Sequence, residues 1–183
     1  SKWELKKISE VAEIIRGVTY SKEKQSPIPT KSIILTADNI TVEGKFKIKK
    51  EVYLNEDYKI DNLKKLKKED IFICFSSGSK KHLGKVALIE QDTNYFAGGF
   101  MGIIRVNETV KSKFIYELLN GVFRQAVRDT GSGSNINNLS GLINDIQIPI
   151  PPINIQKKIV EEIEILEKKA ETIVVNDLET LKE

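Results

Sequence analysis

Apolar and polar positions along this chain follow two rhythms, and each predicts its own kind of element. The opening "WELKKISEVAEIIRG" sets Leu5, Ile8, Ala12 and Ile15 at helical spacing and stops at Gly17, which predicts a short helix or a helix entering a strand. "VTYSKEKQSPIPT" mixes Lys, Ser and Pro without period and reads as a surface loop. From "SIILTADNI" onward the runs are short, β-branched and aromatic: "KFKI", "IFICF", "KVALIE" and "FMGIIRV", parted by Gly, Asn, Asp and Ser. These predict strands of a mostly antiparallel sheet. Between Lys111 and Thr130 the period lengthens again. Ile115, Leu118, Leu119, Val122, Phe123, Ala126 and Val127 share a helical face that would pack on the sheet, with Ser112 as the expected cap. "GSGSNINNLSGLINDIQIPI" then gives a Gly-Ser-Asn loop and a short strand, and no internal repeat of fixed period is present.

The last segment differs in kind. Ile159, Ile163, Leu166, Ala170, Val174, Leu178 and Leu181 are spaced 4, 3, 4, 4, 4 and 3 residues apart, with Glu and Lys on the other faces. Six steps over 22 residues average about 3.67, a nearly straight seam with one stutter. From Ile155 to Lys182 such a helix runs about 42 Å. Its stripe is too long and narrow for the preceding residues alone to cover. A partner helix is expected, from a second copy of the chain or from another protein. The predicted fold class is therefore α+β: a twisted, mostly antiparallel β-sheet domain with packed helices over residues 1–152, then a long coiled-coil helix over 153–183.

Charge sharpens this division. Residues 157–183 hold five Lys against eight acids, −3, whereas the rest of the chain holds 24 basic and 18 acidic residues, +6. A basic body suits phosphate, and an acidic helix suits protein. One cysteine, Cys74, sits in the apolar "DIFICFSS", so no disulfide can form within the chain; a buried thiol in a reducing compartment is expected. No run approaches the roughly 20 apolar residues that span a bilayer, and "SKWELKKISE" lacks a signal-peptide core, so a cytoplasmic location without membrane contact is expected. The only methionine is Met101, which leaves open trimming before Ser1 or excision from a longer protein.

Several catalytic readings fail on the residues. Pro151 and Pro152 invite comparison with the catalytic tetrapeptide of DNA amino-methyltransferases, in which Pro-Pro follows Asn or Asp and precedes an aromatic that stacks on a flipped base. Here Ile150 precedes and Ile153 follows, so both chemical groups are absent. The prolines are structural: Pro149 ends strand pairing at an edge, and Pro151 with Pro152 imposes an extended stretch ahead of the helix. "AGGFMG" (residues 97–102) has no following helix and reads as a turn or bulge rather than a cofactor cradle. A lone histidine, His82, cannot build a zinc site.

The order and spacing of several motifs do carry a resemblance. "GSGSNINNLSGLINDIQIPIPPINIQKKIVEEIEIL", with Gln156 and Ile159 after the Pro-Pro strand end, resembles the junction of a target recognition domain with a conserved-region helix in DNA specificity subunits of type I restriction-modification systems. Trp3 and Leu5 followed by Gly17 and Thr19, "ILTADNI", "LKKEDIFICFSSGSKKHLGKVALI" and "TNYFAGGFMGIIR" align in the same order, so the resemblance covers essentially the whole chain. It implies a non-catalytic reader of double-stranded DNA that docks a methyltransferase subunit and, in turn, a restriction subunit. S-adenosylmethionine would be held by the methyltransferase partner, and no cofactor or metal by this chain. In the family two long helices pair antiparallel and hold two recognition domains apart over a bipartite site. This chain has one of each, which suggests a homodimer or a second half-subunit through the long helix. A recognition domain of a fused restriction-methyltransferase polypeptide is the alternative, and a coiled-coil interaction module with an incidental basic body is the rival class.

Three stretches suit DNA contact. In "SSGSKKHLGK", Lys80, Lys81 and Lys85 would neutralise phosphates, and Ser77, Ser79 and His82 would meet base edges. In "RGVTYSKEKQ", Arg16 would reach guanine, Thr19 and Tyr20 the groove, and Lys22 and Lys24 the backbone. In "SGSNIN", Ser134 and Asn135 either read a base or satisfy the turn.

Overall fold

The continuous apolar run "IFICF" becomes the centre of the molecule because both of its faces are covered. In chain order the elements are β1 (Glu4–Lys7), the one-turn helix α1 (Ile8–Val11), β2 (Ala12–Arg16), β3 (Ile33–Leu35), β4 (Val52–Tyr53), β5 (Ile71–Cys74), β6 (Val86–Leu88), β7 (Tyr95–Ala97), β8 (Met101–Val106), α2 (Ser112–Leu118), α3 (Arg124–Asp129), β9 (Gln147–Ile150) and α4 (Ile153–Thr180). The computed structural model describes residues 3–129 and 138–180, with side chains described as far as Val175.

Four strands in the order β2-β8-β5-β6 form an antiparallel sheet. Alternation along β5 sends Ile71 and Ile73 to one face and Phe72 and Cys74 to the other. The first face packs with Ile8 and Val11 of α1 and with Phe114, Ile115 and Leu119 around α2. The second packs with Leu35, Ile40, Leu66 and Ala97, the inner side of a three-stranded sheet in the order β4-β3-β7. A third cluster, Val18, Ile34, Leu54 and Phe96, covers the outer side of that sheet. The result is a mixed α+β layering of helix, sheet and sheet.

The structure departs from the sequence reading at several elements. The helical face expected between Lys111 and Thr130 is broken by a π-helical turn at Leu119–Phe123, so Val122 (78% exposed) and Ala126 are exposed and Arg124 is buried in their place. Strands are divided among three small sheets rather than one, and β3 pairs with β7 in parallel. The helical spacing of Leu5 to Ile15 is realised only over α1. Residues 4–7 instead pair with β9, Leu5 against Pro149, and residues 12–16 pair with β8. "KFKI" forms no strand beyond one bridge between Ile40 and Phe46. Buried Asn39 claims this backbone: its Oδ1 accepts from Lys49 N (2.9 Å) and Lys50 N (3.0 Å), while its Nδ2 donates to Lys50 O (2.8 Å). Finally, Ser112 is the first helical residue rather than the cap, and its buried Oγ has no partner. The cap comes from 45 residues away, where Gln156 Oε1 accepts from Lys111 N at 2.8 Å.

Gln156 fixes how the long helix leaves the body. Fully buried, it also donates through Nε2 to Pro151 O (2.8 Å) and Thr109 O (3.2 Å), stapling the start of α4 to the start of α2. Ile159 and Val160 pack on the helix-side core, and Glu167 pairs with Lys113 at 3.2 Å. Seam residues Ile159 and Ile163 are thus half-buried. Leu166 (64% exposed), Ala170 and Val174 (57%) face outward, as do Ile165, Ile173 and Val175. Leu181 and the side chain of Leu178 lie outside the described residues.

Two buried acids link the core to pH. Tyr116 donates its hydroxyl proton to Gly44 O at 2.7 Å, and burial pushes its pKa up to about 12; burial likewise pushes the Cys74 thiol up to about 11. Unfolding returns both groups to their ordinary ranges, so between pH 9 and 12 the unfolded chain holds fewer protons than the folded one. Stability is therefore full below pH 9 and falls as pH rises to 12, by about 2–3 kcal/mol per group. Urea denaturation at pH 8, 10 and 11.5 checks this. Tyr116→Phe should flatten the upper part of the decline.

Candidate nucleic-acid interface

Three loops meet at one end of the stacked sheets. Residues 17–20 follow β2, residues 76–84 join β5 to β6, and residues 98–100 join β7 to β8. Their contact depends on glycine: a Cβ on Gly17 would lie 1.7 Å from Gly98 O, so only a bare backbone fits. Gly17 N then donates to Met101 O (2.9 Å) and Val18 N to Ala97 O (2.7 Å). The 76–84 loop joins them through Phe100 O, which accepts from Phe75 N (3.0 Å) and Ser76 N (3.1 Å). Tyr58 Oη, from the segment after β4 that packs on the outer cluster, donates to Thr19 O (2.7 Å) and holds the first loop.

Between these loops opens a cleft of about 570 Å³, lined by residues that include Thr19, Tyr20, Asp38, Ser77, His82 and Phe100. The first two candidate stretches thus converge: Thr19 and Tyr20 of one face Ser77 and His82 of the other. Thr36 also lines the cleft, although its hydroxyl is shielded behind the surface and has no hydrogen-bond partner. Lys80 and Lys81 are exposed beside it, and Ser79, whose backbone N–H donates to Ser77 Oγ (3.0 Å), is exposed as well. Lys22 and Lys24 are exposed on a short turn after Ser21. Arg16 is exposed at the end of β2, in register with Gly102 and not among the cleft-lining residues. Ser134 and Asn135 lie outside the described residues.

Lys85 corrects the sequence reading. It is only 3% exposed, and its ammonium donates inward to Ala37 O (3.1 Å) with His82 Nδ1 at 3.0 Å, so it is not offered to a phosphate. Burial, then the neighbouring Arg124 charge, pull its pKa below the ordinary lysine range. His82 is likewise held below the usual imidazole range by burial first, then by Lys85. Lys81 and Lys49 act in the same direction and Asp38 against them.

Two features were missed from sequence. Phe100, 73% exposed at the tip of the 98–100 turn, is an aromatic side chain at the rim; the signal was an apolar residue inside a glycine-rich turn. Lys49 belongs to the loop pinned by Asn39, just after the "KFKI" run that the pattern predicts to be a strand, and its charge reaches His82. Among the described residues no group of His, Cys, Asp or Glu side chains could hold a metal, and no helix is long and apolar enough to cross a membrane.

The body thus consists of layered sheets ending in a loop-built cleft with exposed Lys80 and Lys81 on one of its loops, followed by one long helix. The chain belongs to the type I restriction modification DNA specificity domain family, whose model matches residues 1–183. Among curated relatives it is 34% identical over 172 residues to the type I restriction enzyme EcoKI specificity subunit of Escherichia coli K12, covering 90% of this chain and 36% of that protein. It is 33% identical to the StySPI specificity subunit of Salmonella potsdam, with the same coverage. Its fold matches the HsdS subunit from Thermoanaerobacter tengcongensis with a TM-score of 0.66 and 13% identity, over 93% of this chain and 39% of that one. The chain thus spans about a third of the length of the curated relatives it matches.

Proposed function

We propose that this chain is the DNA-reading part of a restriction-modification specificity subunit, non-catalytic, recognising one half of a bipartite duplex target in the cytoplasm. The observation that carries this reading is the convergence of the 17–20, 76–84 and 98–100 loops on a single cleft with lysines at its rim, in a chain matched along its whole length by a DNA specificity family. Residues 1–152 form the reading body, and the long helix over 153–183 is the dock for a methyltransferase subunit, a restriction subunit and a second recognition unit. Lys22, Lys80 and Lys81 take phosphates. Thr19, Tyr20, Ser77 and His82 face the base edges, and Arg16 and Ser79 flank them. In a homodimer, symmetry makes the two half-sites identical and inverted, so the target is an interrupted palindrome.

The test is the salt dependence of duplex affinity. Lys80→Ala and Lys81→Ala each lower the log-log slope by about 0.9, whereas Lys85→Ala leaves it unchanged because that ammonium faces inward. Duplex binding with unchanged slopes in both surface variants removes this cleft from the interface. A second reading, a coiled-coil interaction module, draws on the outward Leu166 and Val174. It requires that duplex affinity show no sequence preference and vanish at moderate salt.

A further inference from the structure

Burying an ammonium is costly, and the fold retains one against the only histidine in the chain. The Lys85 ammonium carries hydrogens and no lone pair, so at 3.0 Å it makes His82 Nδ1 the acceptor. A neutral imidazole whose Nδ1 is bare carries its proton on Nε2. A doubly protonated ring would set two donors against each other. Protonation is also opposed by the charges of Lys81 and Lys49, with Asp38 the one carboxylate acting in its favour. The ring itself lines the cleft beside Ser77 and Asp38.

We propose that His82 is a specificity-determining residue that presents a single fixed Nε2–H donor to a hydrogen-bond acceptor on a DNA base edge, and that Lys85 is the positioning residue that sets this tautomer. The proposal rests on the reading of the cleft as a DNA site. A neutral donor with no acceptor capacity on that side donates to guanine O6 or N7, adenine N7 or thymine O4, and cannot pair with the exocyclic amino groups of cytosine and adenine, which are donors themselves. A phosphate oxygen is also an acceptor. Exposed Lys80 and Lys81 already supply cations for the backbone, whereas a neutral ring would contribute no counterion release.

Because the chain has one histidine, nitrogen-15 NMR of the full chain reads this ring without assignment mutants. Expected is an unprotonated Nδ1 and a protonated Nε2 at pH 7.5, with the Nε2 resonance moving when a duplex enriched from a randomised 30-base-pair pool is added. Lys85→Met should release the ring to mixed tautomers that titrate nearer the ordinary range. Should that variant fail to fold, the wild-type spectrum decides alone. His82→Ala should relax preference at one base position by about 10-fold while leaving the salt slope unchanged.

Protonation on Nδ1, or mixed tautomers in the wild type, overturns the proposal. A slope lowered by about 0.9 with unchanged base preference makes His82 a phosphate contact and also overturns it. Duplex binding that leaves the Nε2 resonance unmoved sinks this inference and spares the DNA reading. No enrichment of any duplex sinks both.

Discussion

Arg105→Ala lowers the free energy of unfolding by about 4–5 kcal/mol and Asp70→Ala by about 3 kcal/mol, measured by urea denaturation with unchanged slope. The pair is bidentate: Arg105 Nε and Nη2 donate to Asp70 Oδ1 and Oδ2, both at 2.8 Å. The asymmetry follows from burial, since the Asp70 side chain is 2% exposed and that of Arg105 22%. Without Arg105, a carboxylate whose side chain is 2% exposed loses both guanidinium bonds and retains the Lys67 backbone N–H at 2.7 Å. Without Asp70, the guanidinium still donates to Lys65 O (3.2 Å) and Leu63 O (3.3 Å) and is partly hydrated. Those carbonyls explain why the pair matters to the site's scaffold. Arg105 sits on β8, and Lys65 and Leu66 bridge to β7, so the pair ties the central sheet to the sheet that carries the 98–100 turn. A cost below 1 kcal/mol for Arg105→Ala would show that the pair is not what couples the sheets. The double variant should cost less than the sum of the two, because it leaves neither charge stranded.

The elements legible in the sequence are those whose pattern is set by local burial. β5, β6 and β8 fall within runs whose both faces are apolar, and the helix follows its stripe at Ile115 and Leu119 but not beyond, where a π-helical turn at Leu119–Phe123 turns Val122 outward and Arg124 inward. The Pro-Pro stretch launches α4 as read, with Pro152 O accepting from Ile155 N and Gln156 N, but Pro149 does not end the pairing: it lies opposite Leu5 and the ladder runs on to Ile150. What stayed hidden is decided by distant partners. Leu5 and Ile8 keep helical spacing, yet β9 arrives from 140 or more residues away to claim residues 4–7. Gln156 outcompetes Ser112 as a cap for the same reason: a capping atom is recognised from neighbours in space, which spacing along the chain does not encode. At the cleft, residue type located the loops but not the direction of each side chain. Lys80, Lys81 and Lys85 look alike in "SKKHLGK", and only the fold turns the last one inward.

Replacing both Leu166 and Val174 with Glu weakens self-association or docking of the chain by at least 100-fold, while its melting transition as an isolated monomer is unchanged. The reasoning separates the helix into two parts. Up to Glu167, α4 is held by its own body through Gln156, Ile159, Val160 and the Lys113 bridge. Beyond that point the described apolar side chains, Ile173, Val174 and Val175, are 53–61% exposed, and Leu166 opens the same edge. A soluble helix does not hold such a row in water without cost, since each aliphatic side chain contributes about 1.5–3 kcal/mol when it is covered. Two such losses, with the added cost of desolvating two carboxylates, exceed the roughly 2.7 kcal/mol that corresponds to 100-fold. Sedimentation equilibrium over a concentration series reads the self-association arm, and co-purification with a methyltransferase subunit reads the docking arm. The body should not register the change, because neither side chain belongs to its core. A chain that stays monomeric at millimolar concentration and ignores the methyltransferase before any substitution would leave this edge without a mate, and α4 would then be only the tail of the reading body.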